Sequence, residues 1–512
     1  MNTNSKPKIL IVGGGSAGWM SALYLNKLYN DQEQLVDISV LESPDIGIIG
    51  VGEATVHTIR SFFAALGLDE TELLAASNAT LKAGILFKQW RQARHGKSHE
   101  YFHPFEQQHI VGIDDVSTTW ILDRENHPER YDEAVSITAH LVKTKQCAKA
   151  ENSSAYSGVI PYGYHLDATL MARYLRDTAI SRGVKHIEAR VTDVQVHHDQ
   201  IVSVITTKGQ FNADLYLDCT GFKGLLINAL HENNWVSYED ALPCNRAVAM
   251  QVEYREGESP NPYTTATALT NGWVWEIDLA HRRGTGYVYD GNRLSADQAE
   301  AELCAHLGTD AKVLKSLHLQ MKVGRQKQFW IGNCIAIGLS GGFIEPLEST
   351  GLHLINLSLR LLATHTPINF VPQSIRDSYN KIMVGFYEDL KRFIVLHYCL
   401  TDREDTAFWK EAKLKAQHCS HLPELLNLWQ HKVCEFADLA DSFSTVFTDE
   451  NYRYVLYGMD YYPTLSKPLK MATDRKAFAQ IERRIIVAKN SALPHTTYLN
   501  YLKRSIPEAA IS

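Results

Sequence analysis

The chain has 512 residues, which is enough for one large core or for two to three modules. A hydrophobic content of 45% and a charged content of 21% are ordinary for a globular protein. A net charge of −7 gives no support to binding of nucleic acid or an anionic membrane, and no apolar run approaches the roughly 18 residues of a membrane span. The polar first seven residues lead directly into an apolar run, so we expect no signal peptide and a cytoplasmic protein.

The eight cysteines are scattered, without a CxxC pair or a cluster of histidines and cysteines. This pattern is typical of reduced, buried thiols and not of a disulfide framework or a zinc site. We therefore expect no bound metal.

A glycine-rich turn follows the first predicted strand. The strand is Lys8–Val12, and the turn Gly13-Gly14-Gly15-Ser16-Ala17-Gly18 comes directly after it. Glycines at positions 13, 15 and 18 allow a tight turn, a close backbone approach to a diphosphate, and close packing of helix on strand. The helix predicted from Trp19 to about Tyr29 aims its amide N–H groups and positive dipole end at that diphosphate.

A second strand, Val36–Leu41, is predicted to end at Glu42, which is 24 residues beyond Gly18. An acid near this spacing binds the ribose hydroxyls of a dinucleotide. The glycine motif alone is also typical of ordinary turns, but strand, turn, helix, strand and acid together predict a dinucleotide-binding fold.

The later part of the chain mixes predicted strands and helices. Helical periodicity covers roughly residues 57–93, and an amphipathic helix is predicted near Ala168–Arg182. Strands at Ile187–Val196, at Ile201–Thr207 and within 246–290 are too many for one dinucleotide-binding sheet, so they indicate an inserted sheet. From about Thr350 onward the pattern is mainly helical.

Several motifs together carry a family resemblance. Four occur in the order seen in FAD-dependent aromatic monooxygenases: Gly13–Gly18, Gly50–Thr55, Asp218–Gly221 and Gly338–Pro346. The others are Leu81-Lys82, Trp273-Val274-Trp275-Glu276-Ile277, Glu345–Gly351 and the loop Tyr101–Phe105. With these, nearly the whole chain resembles the flavin-dependent tryptophan halogenase family.

The resemblance agrees with an α/β fold in two parts. Residues 1–365 are expected to form a Rossmann-like, FAD-binding module similar to aromatic monooxygenases, with an interleaved substrate-side sheet. Residues 366–512 are expected to form a mainly helical module that caps the substrate.

The resemblance also implies FAD, used as FADH2, with chloride or bromide as the halide substrate. The residues expected to contact FAD are Gly13, Gly15, Ser16, Ala17, Gly18, Glu42, Gly50, Gly52, Glu53, Ala54, Thr55, Arg190, Asp218, Gly221, Gly338, Leu339 and Ser349. The amides of Thr350 and Gly351, at the start of a predicted helix, form the expected halide site.

Lys82 is the first candidate catalytic residue. Taken alone, a lysine in an alanine-rich predicted helix is typical of a solvated surface. The resemblance instead places it between the flavin and the aromatic substrate, where its amine hydrogen-bonds hypohalous acid or carries the halogen as a haloamine. We expect desolvation to lower its pKa.

Glu348 is the second candidate. Taken alone, an acid just before Ser349-Thr350-Gly351 is typical of a capped helix start. The resemblance places Glu348 on the substrate side, where it polarises the hypohalous acid or takes the proton from the ring. The two interpretations are compatible.

Aromatic residues mark the expected substrate side. Trp273 and Trp275 alternate, so in a strand they share a face; alone they are typical core aromatics, but the resemblance places them between flavin and substrate. The family motif usually ends in Ile-Pro, whereas this chain has Asp278 after Ile277. The further expected substrate contacts are His103, Pro104, Phe105, Tyr452 and Tyr454.

The substrate itself stays open at this point. Arg453 does not match the family pattern, and no complete clamp for an amino acid can be matched. Free indole, tryptophan, a larger indole-bearing molecule and a phenol all remain candidates.

The resulting expectation is a halogenase that attacks an electron-rich, indole-type ring. Because only one dinucleotide fingerprint is present, a separate reductase is expected to supply FADH2 by diffusion; a homodimer stays open. The alternatives are an aromatic monooxygenase and a flavin-binding protein without turnover. Lys82, Glu348 and the tryptophan pair argue against the monooxygenase, and Lys82 and Glu348 argue against the flavin-binding protein.

Overall fold

The computed structural model describes residues 6–47, 50, 52–94, 96–107, 110–111, 114–126, 129–365, 371–419, 421–439, 447–465 and 476–505. The strands in this part of the chain are β1 (Lys8–Val12), β2 (Asp37–Glu42), β3 (Glu53–Ala54), β4 (Thr80–Lys82), β5 (Gly84–Lys88), β6 (Glu100–Pro104), β7 (Ile110–Val111), β8 (Asp114–Asp115), β9 (Gln146–Ala150), β10 (Gly163–Leu166), β11 (Lys185–Glu188), β12 (Val191–His197), β13 (Gln200–Thr206), β14 (Gly209–Phe211), β15 (Leu215–Asp218), β16 (Trp235–Ser237), β17 (Arg246–Val252), β18 (Thr264–Ala268), β19 (Gly272–Asp278), β20 (Arg283–Tyr289), β21 (Val313–Gln320), β22 (Gly324–Gln326), β23 (Trp330–Ile331), β24 (Cys334–Ala336), β25 (Gly342–Phe343) and β26 (Ala492–Pro494).

The helices are α1 (Ser16–Asn30), α2 (Ile59–Ala65), α3 (Glu70–Ala76), α4 (Val116–Leu122), α5 (Tyr131–Val135), α6 (Ile137–Lys143), α7 (Ala168–Ser181), α8 (Leu225–Leu230), α9 (Ala296–Leu307), α10 (Gly351–His365), α11 (Gln373–Leu400), α12 (Ala407–Ala416), α13 (Leu422–Leu428), α14 (Asp449–Gly458), α15 (Lys476–Ser491) and α16 (His495–Arg504). Short 3-10 turns occur at Gly221–Lys223, Gly338–Ser340 and Pro346–Glu348, among others.

The apolar run after Lys8 forms a central strand of a six-stranded sheet in the order β11-β2-β1-β15-β24-β23. Neighbouring strands from β11 to β24 are parallel, and β23 is antiparallel to β24. Helix α1 connects β1 to β2 and is buried along its first turns, which is the crossover that parallel neighbours require. The predicted dinucleotide-binding unit is therefore confirmed.

The predicted inserted sheet is also confirmed. It has seven strands in the order β21-β17-β20-β19-β18-β5-β6 and is antiparallel except for the pair β18–β5. Strands β17 and β19 are almost continuously buried, because the sheet has other elements packed against both faces.

Two sequence-based predictions about individual elements were wrong. The periodicity over residues 57–93 gives only α2 and α3, and the chain then turns into β4 and β5, so Lys82 lies on a strand and not on a helix. The alanines around it fit a small three-stranded sheet, in which β4 pairs with β10. The strand predicted at Ile187–Val196 is divided: β11 extends the parallel sheet, while β12 joins β13 and β14 in another.

The C-terminal third is mainly helical, with α11 spanning 28 residues. Near its end, β26 pairs with β9, which brings the last described helix back against residues 146–150. The predicted module boundary between residues 365 and 366 adjoins residues outside the described ranges, so it stays a prediction.

All eight cysteines are free, but Cys304 is exposed and Cys399 is only partly buried, so the prediction of buried thiols was wrong for Cys304 and holds only in part for Cys399. Among the described helices none is both long and apolar enough to cross a lipid bilayer.

Candidate active site

The turn after β1 has the shape that a diphosphate requires. Gly13 has a φ of +117°, and a Cβ there would collide with the carbonyl oxygen of Cys219. At Gly15 a Cβ would meet no atom within 4 Å, so the turn opens onto free space. Gly15 is also the N-cap of α1, and no side chain caps this helix end, so the first-turn N–H groups can bind an anion. The backbone present here fits the FAD diphosphate.

Several of the predicted FAD contacts lie at one edge of the parallel sheet. The carboxyl ends of β1, β2, β15 and β24 share this edge, and Ser16, Ala17, Gly18, Glu42, Gly221, Gly338 and Leu339 lie at or just beyond these ends. Arg190 follows the neighbouring edge strand β11. Of the second glycine turn, Val51 lies outside the described residues, while Glu53 and Ala54 form β3, which pairs with β10. Desolvation raises the pKa of the Glu53 carboxyl to about 7.

Two of these acids already have partners in the protein. The Glu42 carboxylate lies 2.7 Å from Nε2 of His186 and packs against Gly14. The Asp218 carboxylate accepts hydrogen bonds from Thr220 through one oxygen and from the first-turn amides of α8 through the other. Asp218 thus anchors the turn after β15, and its contact with FAD stays a prediction.

Lys82 is fully buried at the end of β4. Its Nζ donates a hydrogen bond of 2.7 Å to Oγ of Ser349 and lies 5.0 Å from the ring centre of Phe105. Burial lowers the pKa of Lys82 to about 7, against the opposing effect of the Glu348 charge. The expected lowering of this pKa is therefore confirmed by the environment, and near neutral pH both the ammonium and the amine are populated.

Glu348 lies beside Ser349 and is also buried. Nδ1 of His103 is 3.0 Å from each carboxylate oxygen, and Nε2 of His397 is 3.1 Å from Oε1. Burial alone would raise the pKa of Glu348, but the two histidines outweigh it and lower the pKa to about 2. Glu348 is therefore an ionised carboxylate in a site closed to solvent.

The predicted halide residues lie where α10 begins. Thr350 is buried, and the amide of Leu354 bonds to its carbonyl in the first helical turn. A Cβ on Gly351 would meet no atom within 4 Å, so space is open beside the positive end of this 15-residue helix. The preceding Ser349 has a φ of +59°, which turns the chain sharply between Glu348 and the helix.

Trp273 and Trp275 both lie on β19 and are buried. Nε1 of Trp273 donates to Oε2 of Glu345 at 3.0 Å, and Tyr398 donates to the same oxygen at 2.6 Å. Burial raises the pKa of Glu345 to about 7, with the two hydrogen bonds opposing. Trp275 packs flat on Gly286, where a Cβ would collide with the indole.

The other predicted substrate residues divide into two groups. His103 and Phe105 face the pair Lys82 and Glu348, and the Tyr454 ring lies 6.0 Å from that of His103. Pro104 ends β6 and is buried. Tyr452 forms the second group. Its ring contacts those of Phe393 and Trp429, and its hydroxyl accepts a hydrogen bond from Arg392.

Sequence reasoning missed several residues of this site. His397 and Phe393 are four residues apart on α11, a spacing that places them on one face of the helix. The sequence gave no signal that this face packs against Glu348. Phe447 stacks on Phe393 at 3.9 Å between ring centres and lies near His103. Asn451 lies 3.0 Å from Nε2 of His103.

The two departures from the family pattern have structural roles. Asp278 is buried and accepts from Arg283 at 2.6 Å and from the backbone and side chain of Asn261 at 2.9 Å. Arg453 donates to the carbonyl of Cys434, to Oγ of Ser117 and to Asp449.

The fold and site together define a class. A dinucleotide turn opens at the edge of a parallel sheet, and a desolvated lysine and an ionised carboxylate lie buried among aromatic side chains. These features define an enzyme that binds a dinucleotide cofactor and holds a buried lysine close to a buried glutamate.

Comparison with known proteins gives the particular family. The family model for tryptophan halogenase matches residues 8–475. Tryptophan 6-halogenase SttH of Streptomyces toxytricini is 38% identical over 441 residues, covering 81% of this chain and 82% of that protein. The 7-chloro-L-tryptophan 6-halogenase KtzR of Kutzneria sp. (strain 744) is 35% identical, covering 96% and 98%. A crystal structure of tryptophan halogenase from Shewanella frigidimarina superposes with a TM-score of 0.92 at 29% identity, covering 98% of each chain.

The chain belongs to the tryptophan halogenase family, and it is a flavin-dependent halogenase. The family implies use of a flavin and a halide, an aromatic substrate, and a separate source of reduced flavin. The expectation from sequence of a halogenase with this fold is therefore confirmed.

Proposed function

We propose that this protein uses FADH2, O2 and chloride or bromide to halogenate an electron-rich, indole-type ring, with Lys82 and Glu348 as the catalytic pair. The observation that carries the proposal is the hydrogen bond from Lys82 to Ser349, the neighbour of Glu348, inside a buried chamber. Sequence similarity alone does not assign roles to the two side chains, whereas their adjacency and burial give each a chemical task.

Bound FAD in its reduced form supplies hypohalous acid from O2 and halide. Lys82 receives this acid. As an ammonium it donates a hydrogen bond to the acid's oxygen. As an amine, its Nζ forms a bond to the halogen while the oxygen–halogen bond breaks, and the departing hydroxide takes a proton from Nζ and leaves as water. A pKa of about 7 keeps both forms available near neutral pH.

Glu348 acts on the aromatic ring of the substrate. Electrophilic attack makes the aromatic ring transiently cationic, and a carboxylate held ionised in a dry site stabilises that charge. The same carboxylate can then accept the proton that leaves the ring carbon. The low pKa of Glu348 does not prevent this proton transfer, because the cationic ring is itself a strong acid.

Trp273 and Trp275 supply a buried aromatic wall, and Glu345 fixes the indole of Trp273 through its Nε1–H. This wall would keep the substrate from the flavin, which disfavours hydroxylation. His103 and Phe105 would hold the flat substrate face, since both lie against the catalytic pair.

The substrate is proposed as indole-type because the named relatives act on tryptophan or 7-chloro-tryptophan. Arg453, which lies in the region of the predicted pocket tyrosines, is bonded to protein groups and does not clamp an amino acid. We further propose that a separate reductase delivers FADH2 by diffusion, and that the protein works in the cytoplasm; a homodimer fits the proposal equally well.

One assay tests the proposal. The protein receives reduced FAD, O2 and bromide with a panel of indole, tryptophan, an indole-bearing peptide and a phenol, and product masses are measured. A bromine isotope pair on a panel member supports the halogenase. Gain of one oxygen would establish a monooxygenase instead, and no product would leave only a flavin binder.

The matched variants are Lys82→Met and Lys88→Met, because Lys88 is a partly exposed lysine at the end of the next strand, β5. Lys82→Met should abolish brominated product while Lys88→Met retains it. Bromination by Lys82→Met at the wild-type rate would show that free hypobromite is responsible and would refute the role of Lys82.

A further inference from the structure

Asn451, on α14, holds the outer nitrogen of His103, and its amide has a defined orientation. It is the third residue of α14 and forms a capping box with Thr448. The backbone N–H of Thr448 donates to Oδ1 of Asn451 at 3.0 Å, and Oγ1 of Thr448 lies 3.2 Å from the same oxygen. Since an N–H can only donate, the carbonyl end of the amide must face Thr448 and the NH2 end must face His103.

This orientation decides where the ring proton of His103 lies. Nδ2 of Asn451 is 3.0 Å from Nε2 of His103, and an amide NH2 can only donate. Nε2 is therefore the acceptor and carries no proton. The ring proton is then on Nδ1, which lies 3.0 Å from both oxygens of Glu348.

We propose that Asn451 is a positioning residue that holds His103 as the neutral Nδ1–H tautomer, so that Glu348 receives a hydrogen bond from His103 but no positive charge from it. This rests on the proposed function of Glu348. If Nε2 were protonated, His103 would be a cation against Glu348, and the carboxylate would stabilise a cationic ring less well.

Aromatic side chains surround His103. The rings of Phe393, Phe447 and Tyr454 lie around it, and burial raises the pKa of the Tyr454 hydroxyl well above its usual value. Glu348 is the charged group that faces His103 directly. Glu348 in turn faces His397, and its charge acts on Lys82.

The chain Thr448–Asn451–His103–Glu348 thus links the start of α14 to the carboxylate. An orienting partner of this kind matters because the donor and acceptor ends of an imidazole are interchangeable until a third group fixes them. The site then assigns the proton-accepting role to Glu348, since Nδ1 of His103 already carries a proton.

The direct test is ¹⁵N NMR of histidine-labelled protein without flavin, with the His103 signals assigned by their loss in His103→Phe. The wild type should show a protonated Nδ1 and an unprotonated Nε2 for His103 at pH 7. In Asn451→Asp the carboxylate can only accept, so Nε2 should become protonated and both nitrogens should carry protons at that pH.

The functional readout is brominated product per FADH2 consumed. Asn451→Asp should lower this ratio by about tenfold to a hundredfold, the range common for partners that orient a catalytic group. Asn380→Asp is the matched control: like Asn451, Asn380 uses both ends of its amide in hydrogen bonds, here to the backbone of Phe329 and Trp330, and it lies 17 residues before His397 on α11. It should lower the melting temperature without moving the His103 signals or the ratio.

A wild-type His103 with its proton on Nε2, or on both nitrogens at pH 7, would overturn the proposal. The same signals in Asn451→Asp as in the wild type would also overturn it. The wild-type spectrum alone shows which nitrogen of His103 carries the proton, so the proposal is tested even if the variant does not fold. The spectrum is recorded without catalysis. If the protein makes no halogenated product, that result refutes the proposed function but not the proposed tautomer of His103.

Discussion

Replacing Lys82 with methionine should stabilise the protein while removing its halogenation activity. The lysine is fully buried, and burial lowers its pKa from 10.5 to about 7. In the unfolded chain the side chain is solvated and keeps its ordinary pKa. The unfolded state therefore binds one more proton than the folded state between pH 7 and 10.5, so stability rises with pH across that window.

The size of the effect follows from the two pKa values. A lowered pKa costs the folded state about 4 kcal/mol at pH 7 and about 2 kcal/mol at pH 9. Methionine fills a similar volume without a charge, so Lys82→Met removes this cost but loses the bond to Ser349, worth about 1 kcal/mol. The variant should be more stable by about 3 kcal/mol at pH 7 and by about 1 kcal/mol at pH 9.

The assay is urea denaturation of wild type and Lys82→Met at pH 7 and pH 9, with Lys88→Met as the control. Lys88 is partly exposed, so its replacement should give a small difference that does not change with pH. The reasoning fails if Lys82→Met is no more stable than wild type at pH 7, or if its advantage is the same at both pH values.

Three further outcomes are expected. Glu348→Gln keeps the shape but loses the charge, so product formation should fall by about a hundredfold or more, while FAD binding, followed by flavin fluorescence, stays unchanged. Gly15→Ala should weaken FAD binding without lowering the melting temperature, because its Cβ enters open space; Gly13→Ala should lower the melting temperature, because its Cβ meets backbone. Asp278→Ala removes one of the two carboxylates that lie 2.6 Å from Arg283 and also the acceptor of the Asn261 hydrogen bonds, so it should cost about 2 kcal/mol of unfolding free energy. An unchanged urea midpoint for Asp278→Ala would contradict that assignment.

The sequence by itself was enough to predict the dinucleotide-binding part of the fold. The run Lys8–Val12, the glycines after it and the acid at Glu42 are local signals, because a strand, a tight turn and a helix start each depend on a few adjacent residues. The order of the later motifs was enough to indicate the halogenase family and to select Lys82 and Glu348. Helix periodicity failed at Lys82 itself, where pairing of β4 with β10 overrode the local helical preference of an alanine-rich segment.

Only the tertiary structure decided the environment of the catalytic pair. The ionised state of Glu348 depends on His103 and His397, which are 245 residues before it and 49 residues after it, and the tautomer of His103 depends on Asn451 in yet another helix. Burial and the facing of hydrogen-bond partners arise from packing between distant segments, so no local pattern encodes them. The protonation state and hydrogen-bond partners of Lys82, Glu348 and His103 are set by those neighbours. The sequence identified Lys82, Glu348 and His103 as candidate residues, but it did not show which groups surround them.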